Sequence, residues 1–151
     1  MNRNLILVFI LLATLSVANA SPHQLVKRQT QWKKCTEYYP LVHVDLSSGS
    51  TISGQEDSFV VSGNLNIVIN SGFVLSVGFH DESRTIESME VPICGAQYRT
   101  DCPINANTDF NSSLVFPVPK NLPDPYSIFV FIFDKLNKKI HGCATASFSK
   151  N

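Results

Sequence analysis

The side chains in this 151-residue chain best equipped for chemistry are four cysteines, four histidines and a scatter of acids. The cysteines are Cys35, Cys94, Cys102 and Cys143, and no two form a Cys-x-x-Cys pair. His43, His80 and His141 stand apart from one another, so a structural zinc site is not encoded. No Gly-x-Ser-x-Gly nucleophile elbow occurs, and "SSGSTISG" reads as a polar turn. Asp81-Glu82, Glu87 and Glu90 read as charged loop residues. Glycoside hydrolysis would need two carboxylates at a set separation across a cleft, and nothing requires that pairing here. The expectation is a protein that is not an enzyme, with no catalytic residue, no metal and no cofactor.

The chemistry that remains is oxidation of the thiols. "MNRNLILVFILLATLSVANA" has a basic start at Arg3, an apolar run and a small-x-small ending at Ala18-Asn19-Ala20. That is the pattern of a secretory signal peptide over residues 1–20. Its apolar core is short against the roughly 20 residues of a membrane span. Lys27-Arg28 makes residues 21–28 a candidate pro-segment ending in a dibasic site, with a domain over 29–151. An even number of cysteines in a secreted chain argues for disulfides, in three alternative pairings that the sequence alone does not decide. Nearness favours Cys94–Cys102, which leaves Cys35–Cys143 to tie the start of the domain to its end. A closure that long stabilises by roughly 4 to 5 kcal/mol in the chain-entropy description.

Charge removes further classes. Twelve basic side chains balance twelve acidic ones; loss of Arg3, Lys27 and Arg28 leaves nine basic groups and a net charge of −3. There is no basic stripe for nucleic acid and no cluster for strong adhesion to an anionic membrane.

The elements that position these groups read as strands. In "FVVSGNLNIVIN", Phe59, Val61, Leu65, Ile67 and Ile69 share one parity, and Ser62, Asn64, Asn66 and Asn70 the other. Period two over that length predicts a long half-buried strand. "NSGF" predicts a turn in which Gly72 supplies positive φ. It leads into Phe73, Leu75, Val77 and Phe79 on one face of a second strand, hairpinned to the first. "YPLVHVDLS" is a strand with either Leu41 or Val42 inward. "NSSLVFPVP" sets Phe110, Leu114 and Phe116 against Asn111, Ser113 and Val115. "YSIFVFIF" and "KIHGCATASF" form a hairpin about "DKLNKK", and "TIESME" allows a small helical turn. Several short strands with Pro and Gly punctuation indicate an all-β sandwich. Asn111-Ser112-Ser113 is an N-glycosylation sequon, which points Asn111 outward. Trp32, ahead of the strands, is a lid or packing residue. Ten phenylalanines either fill a core or line a cavity, and periodicity does not separate the two.

From Cys35 to the C-terminus, and most strongly after Cys94, the chain resembles the ML lipid-recognition domain family. The likeness rests on Cys102-Pro103, Phe116-Pro117, Leu122-Pro123, a strand led by Tyr126, the charged hairpin Asp134 to Lys139 and the closing Cys143. Fungal phosphatidylglycerol/phosphatidylinositol transfer proteins, Niemann–Pick type C sterol carriers and mite group-two allergens belong to that family. The resemblance implies an immunoglobulin-like β-sandwich of two antiparallel sheets with an internal apolar cavity. It implies the disulfides Cys94–Cys102 and Cys35–Cys143. The Niemann–Pick type proteins carry a third bridge that this chain lacks, so sterol specificity does not transfer with the resemblance.

The site implied is a lipid cavity lined by Phe59, Val61, Leu65, Ile67, Leu75, Val77, Phe79, Leu114, Phe116, Tyr126, Ile128, Val130 and Ile132. Tyr98 and Arg99 are expected at its mouth, Arg99 as a partner for a phosphate. The expected partner is a phospholipid or sterol, with transient membrane contact and no nucleic acid. The expected protein is a secreted or lumenal monomer. In "SIFVFIFD" size alone favours Phe129, Phe131 and Phe133 inside. The family register puts Tyr126, Ile128, Val130 and Ile132 inside, leaving the three phenylalanines as an outer surface for membrane docking or self-association. The alternative function is a secreted sandwich with a filled core that binds a protein or glycan, in immune modulation or adhesion.

Overall fold

Alternation sets the architecture. The computed structural model describes residues 30–49, 51–95 and 101–149, and these form seven strands in two antiparallel sheets. The strands are β1 (His43–Leu46), β2 (Glu56–Asn64), β3 (Phe73–His80), β4 (Thr85–Pro92), β5 (Asp109–Pro117), β6 (Tyr126–Asp134) and β7 (Lys139–Phe148). One sheet has the order β1-β2-β5 and the other β4-β3-β6-β7. Successive side chains in a strand point to opposite faces, so each strand gives one face to the space between the layers. In β5 the alternation is unbroken: Phe110, Ser112, Leu114 and Phe116 are buried, while Asn111, Ser113 and Val115 are exposed. The buried faces of the two sheets form one apolar core.

Four sequence expectations are corrected. The segment 59–70 is not one strand. β2 ends at Asn64, whose side-chain amide donates to the Asn107 carbonyl and to Asp109, drawing the chain off the sheet. Leu65 and Ile69 stay buried beyond that point, so side-chain parity outlasts backbone pairing. β2 and β3 form no hairpin: β2 pairs with β1 and β5, and β3 pairs with β4 and β6 in the other layer. "TIESME" is strand, part of β4, where a register shift opposite Phe79/His80 spaces the half-buried Ile86 and Met89 like residues of a helix. Gly72 sits in the expected turn but is not at positive φ; a Cβ there would meet the Leu136 side chain at 2.9 Å, and Leu136 is exposed and free to move aside.

Two open choices close. Val42 is fully buried and Leu41 is 45% exposed. In β6 the aliphatic side faces the interior: Ile128, Val130 and Ile132 are fully buried, and Phe129, Phe131 and Phe133 are half-buried on the other face. The neighbouring strand explains why. Leu75, Val77 and Phe79 of β3 stand beside Ile132, Val130 and Ile128 on the inner face. Outside, Ser76 and Gly78 flank Phe131 and Phe129. The outer rings cover one another: Phe129 stacks on Phe131 at 5.9 Å and meets the His80 ring edge-on at 4.8 Å.

Both disulfides form, Cys94–Cys102 and Cys35–Cys143. The second fixes the N-terminal segment against β7, where Lys33 and Thr145 exchange backbone hydrogen bonds of 2.8 Å. Trp32 packs on the core beside that contact.

Candidate functional site

The candidate site is the interior between the layers, where strand parity sets which side chains face inward. Of the residues expected to line it, Phe59, Val61, Leu65, Leu75, Val77, Phe79, Leu114, Phe116, Ile128, Val130 and Ile132 are buried in the core. Ile67 and Tyr126 are partly buried and packed against it. Phe79 is the hub: its ring meets Phe116 at 5.3 Å and Phe59 at 6.4 Å edge-on across the layers, and Tyr126 at 6.2 Å. Aromatic pairs in such geometry add to the stabilisation given by area alone.

The two ends of the sandwich differ. At the end where β6 begins, Tyr126 stacks on Phe148 at 5.0 Å and its hydroxyl lies 2.6 Å from that of Thr51. Burial pushes the Tyr126 phenol above its ordinary value, and the Thr51 bond opposes the rise. At the other end, Ile69 and Ile104 form a backbone bridge and Cys94 is tied to Cys102. Beside them lies an open recess of about 430 Å3 lined by Asp101, Pro103, Ile104, Asn105, Thr108, Asp109, Phe110 and Asn111. Its lining holds two carboxylates and no cation. The expected mouth residues Tyr98 and Arg99 lie outside the described residues. Asn111 is exposed at this recess, on the outer face of β5.

Among the described residues, three polar side chains are buried: Asp57, Ser112 and Asp134. Asp57, 3% exposed, accepts from the Ser47 and Ser48 hydroxyls at 2.6 Å each and holds the loop between β1 and β2. Asp134, 4% exposed, accepts from the Asn137 amide at 2.7 Å and from the Leu136 and Asn137 backbone N–H groups. The Asn137 side chain, against the opposing effect of burial, holds that carboxyl below its ordinary value. Ser112, 2% exposed, has no hydrogen-bond partner for its Oγ. Its parity with Phe110 and Leu114 was the available signal. An unpaired buried hydroxyl costs about 1–3 kcal/mol.

The histidines are dispersed. His43 lies 3.1 Å from Asp45 on the surface, His80 crosses Phe129, and His141 tilts onto Phe73 at 5.3 Å. Burial lowers the pKa of both His80 and His141. Among the described residues, no group of three or more His, Cys, Asp or Glu is placed to hold a metal. Among the same residues, no helix is long and apolar enough to cross a membrane.

Two antiparallel sheets closing on apolar inner faces, with two disulfides, define a β-sandwich. The ML domain family model matches residues 29–149, and the chain belongs to that family. Among solved structures it is similar to chicken MD-1 complexed with lipid IVa: TM-score 0.52, 14% identity, covering 80% of this chain and 88% of that one. It is also similar to a Niemann-Pick type C2 protein from the Japanese carpenter ant: TM-score 0.58, 11% identity, covering 78% of this chain and 96% of that one. At these identities the likeness is one of fold. No curated protein matches the sequence.

Proposed function

We propose that this protein binds a lipid between its two sheets, phospholipid or sterol, and moves it between membranes from a secreted or lumenal location. The observation that carries the reading is membership of the ML domain family over 29–149. It is supported by an interior made of apolar strand faces and by a fold neighbour that was solved with lipid IVa. Removing acyl chains or a ring system from water contributes about 25 cal/mol per Å² of apolar surface, so binding needs shape and shielding but no catalytic group. Residues 1–20 serve as the signal peptide and 21–28 as a pro-segment released at Lys27-Arg28. Tyr98 and Arg99 form the mouth, Asn111 carries a glycan, and Phe129, Phe131 and Phe133 provide transient membrane contact for a monomer.

Native mass spectrometry of the protein purified from its own source, with extraction of bound lipid, tests this. Co-purified lipid, or uptake of phospholipid or sterol from vesicles, is expected. A protein that is lipid-free and takes up neither overturns the carrier reading. It would leave a sandwich with a filled core that binds a protein or glycan, in which a fluorescent fatty acid finds no internal site.

A further inference from the structure

We infer that Ser112 is an internal hydrogen-bonding anchor for a lipid oxygen. The assignment rests on the carrier reading above and adds a ligand class to it. Ser112 lies on the inward face of β5, between Phe110 and Leu114 and beside Val61 of β2. β5 is the outer strand of its sheet, so no further strand lies beside it. Across the interior it meets β3, whose inward residues Phe73, Leu75, Val77 and Phe79 offer no polar side chain. β4, beside β3, adds Met89 and Val91 to the same apolar wall. The other inward polar groups are occupied. Asp57 is saturated by Ser47, Ser48 and the Ser58 backbone, and Asp134 by the turn that follows it.

A serine in this place carries a burden that an alanine would not. Both fit the space, but only the hydroxyl must be stripped of water, and a strand has no requirement for it. The hydroxyl becomes favourable once a partner arrives from outside the chain, and the site lies among the side chains that a lipid would contact. A hydroxyl both donates and accepts, so the complementary group is an oxygen within the lipid body: the hydroxyl of a sterol or the ester carbonyl of an acyl lipid. A plain hydrocarbon, or a lipid whose polar atoms all remain at the mouth, would leave Ser112 unpaired.

The test compares the wild-type chain with Ser112→Ala and Ser112→Thr; the alanine change leaves the Asn111-x-Ser113 sequon intact. The probes are two matched pairs: cholesterol against 5-cholestene, which lacks the 3-hydroxyl, and dipalmitoyl phosphatidylglycerol against its dihexadecyl ether, which lacks the carbonyls. Ser112→Ala is expected to weaken one parent lipid about fivefold to tenfold and its oxygen-free partner not at all. The pair that shows the effect identifies the source of the oxygen. Ser112→Thr is expected to restore at least part of the affinity. The thermal midpoint of lipid-free Ser112→Ala should equal or exceed that of the wild type. Equal affinity of wild type and Ser112→Ala for both parents overturns the inference, as does an equal drop for an oxygen-free analogue or a lowered lipid-free midpoint. A wild-type chain that binds none of the four overturns the carrier reading and this assignment with it.

Discussion

The Tyr126 and Thr51 hydroxyls lie 2.6 Å apart, and the bond joins the two layers at one end of the sandwich. Tyr126 opens β6 in the four-stranded sheet; Thr51 belongs to the loop between β1 and β2 of the other. That loop is held on its own side by Ser53, which donates to the Pro119 carbonyl at 2.8 Å, and by Gly54, which donates to Val118 at 3.0 Å.

Each of Tyr126→Phe and Thr51→Val is therefore expected to cost about 1 kcal/mol, and the double variant hardly more than either. Chemical denaturation of the four proteins measures the coupling. Strictly additive costs would show that the two hydroxyls do not stabilise one another.

Gly142 of β7 is buried where a side chain has no room. A Cβ would sit 2.8 Å from Val42 Cγ1 and 3.4 Å from Leu65 Cδ2. Val42 is itself fully buried and cannot swing away. Gly142→Ala is expected to destabilise by about 1–3 kcal/mol through overpacking, read as a lowered denaturation midpoint at an unchanged slope.

The two disulfides should differ in worth. Cys35–Cys143 spans 108 residues and Cys94–Cys102 spans 8. In the loop-entropy description the longer closure restrains the unfolded chain more, by about 2 kcal/mol. Paired replacement by alanine at 35 and 143 should thus lower stability more than replacement at 94 and 102. The reverse order would mean that strain or residual structure outweighs loop length.

Acid should act through Asp81. Its carboxylate accepts from the Ser83 and Arg84 backbone N–H groups at 2.8 Å each. Led by those bonds, its pKa falls from 3.8 to about 2. Between these values the unfolded chain binds the proton and the folded chain does not, so stability rises with pH. The contribution is complete above about pH 4 and is lost as pH falls toward 2. The gap in thermal midpoint between the wild type and Asp81→Asn should narrow across that window. A gap independent of pH there would remove Asp81 from the acid response.

Side-chain alternation was legible along the sequence because it records burial directly. The inward sets of β2, β3 and β5 could be read that way, and both cysteine pairs followed from spacing and the family resemblance. Backbone pairing was not legible in the same way. Leu65 and Ile69 continue the parity of β2 after its hydrogen bonds have ended, so burial alone extended the strand. Parity also carries no information about which layer a strand joins, and β3 therefore looked like the hairpin partner of β2. In β4 the register shift at Phe79/His80 imitated helical spacing. Ser112 was hidden for a different reason: a small polar residue inside an apolar pattern reads as noise until its surroundings are known.

The outer face of β6 is aromatic. Size alone favoured Phe129, Phe131 and Phe133 inside, but the register with β3 puts them outside, half-buried, as the family register implied. Water meets there a row of rings that a carrier could instead press into a bilayer. Phe131→Ser removes the central ring without touching the inward Val130 and Ile132. It should spare lipid capacity and weaken co-sedimentation with phosphatidylcholine/phosphatidylglycerol vesicles by about tenfold, the worth of one ring withdrawn from water. Unchanged vesicle binding with loss of a dimer on sizing would instead assign the stripe to self-association. Loss of lipid capacity with vesicle binding intact would return the phenylalanines to the lipid site.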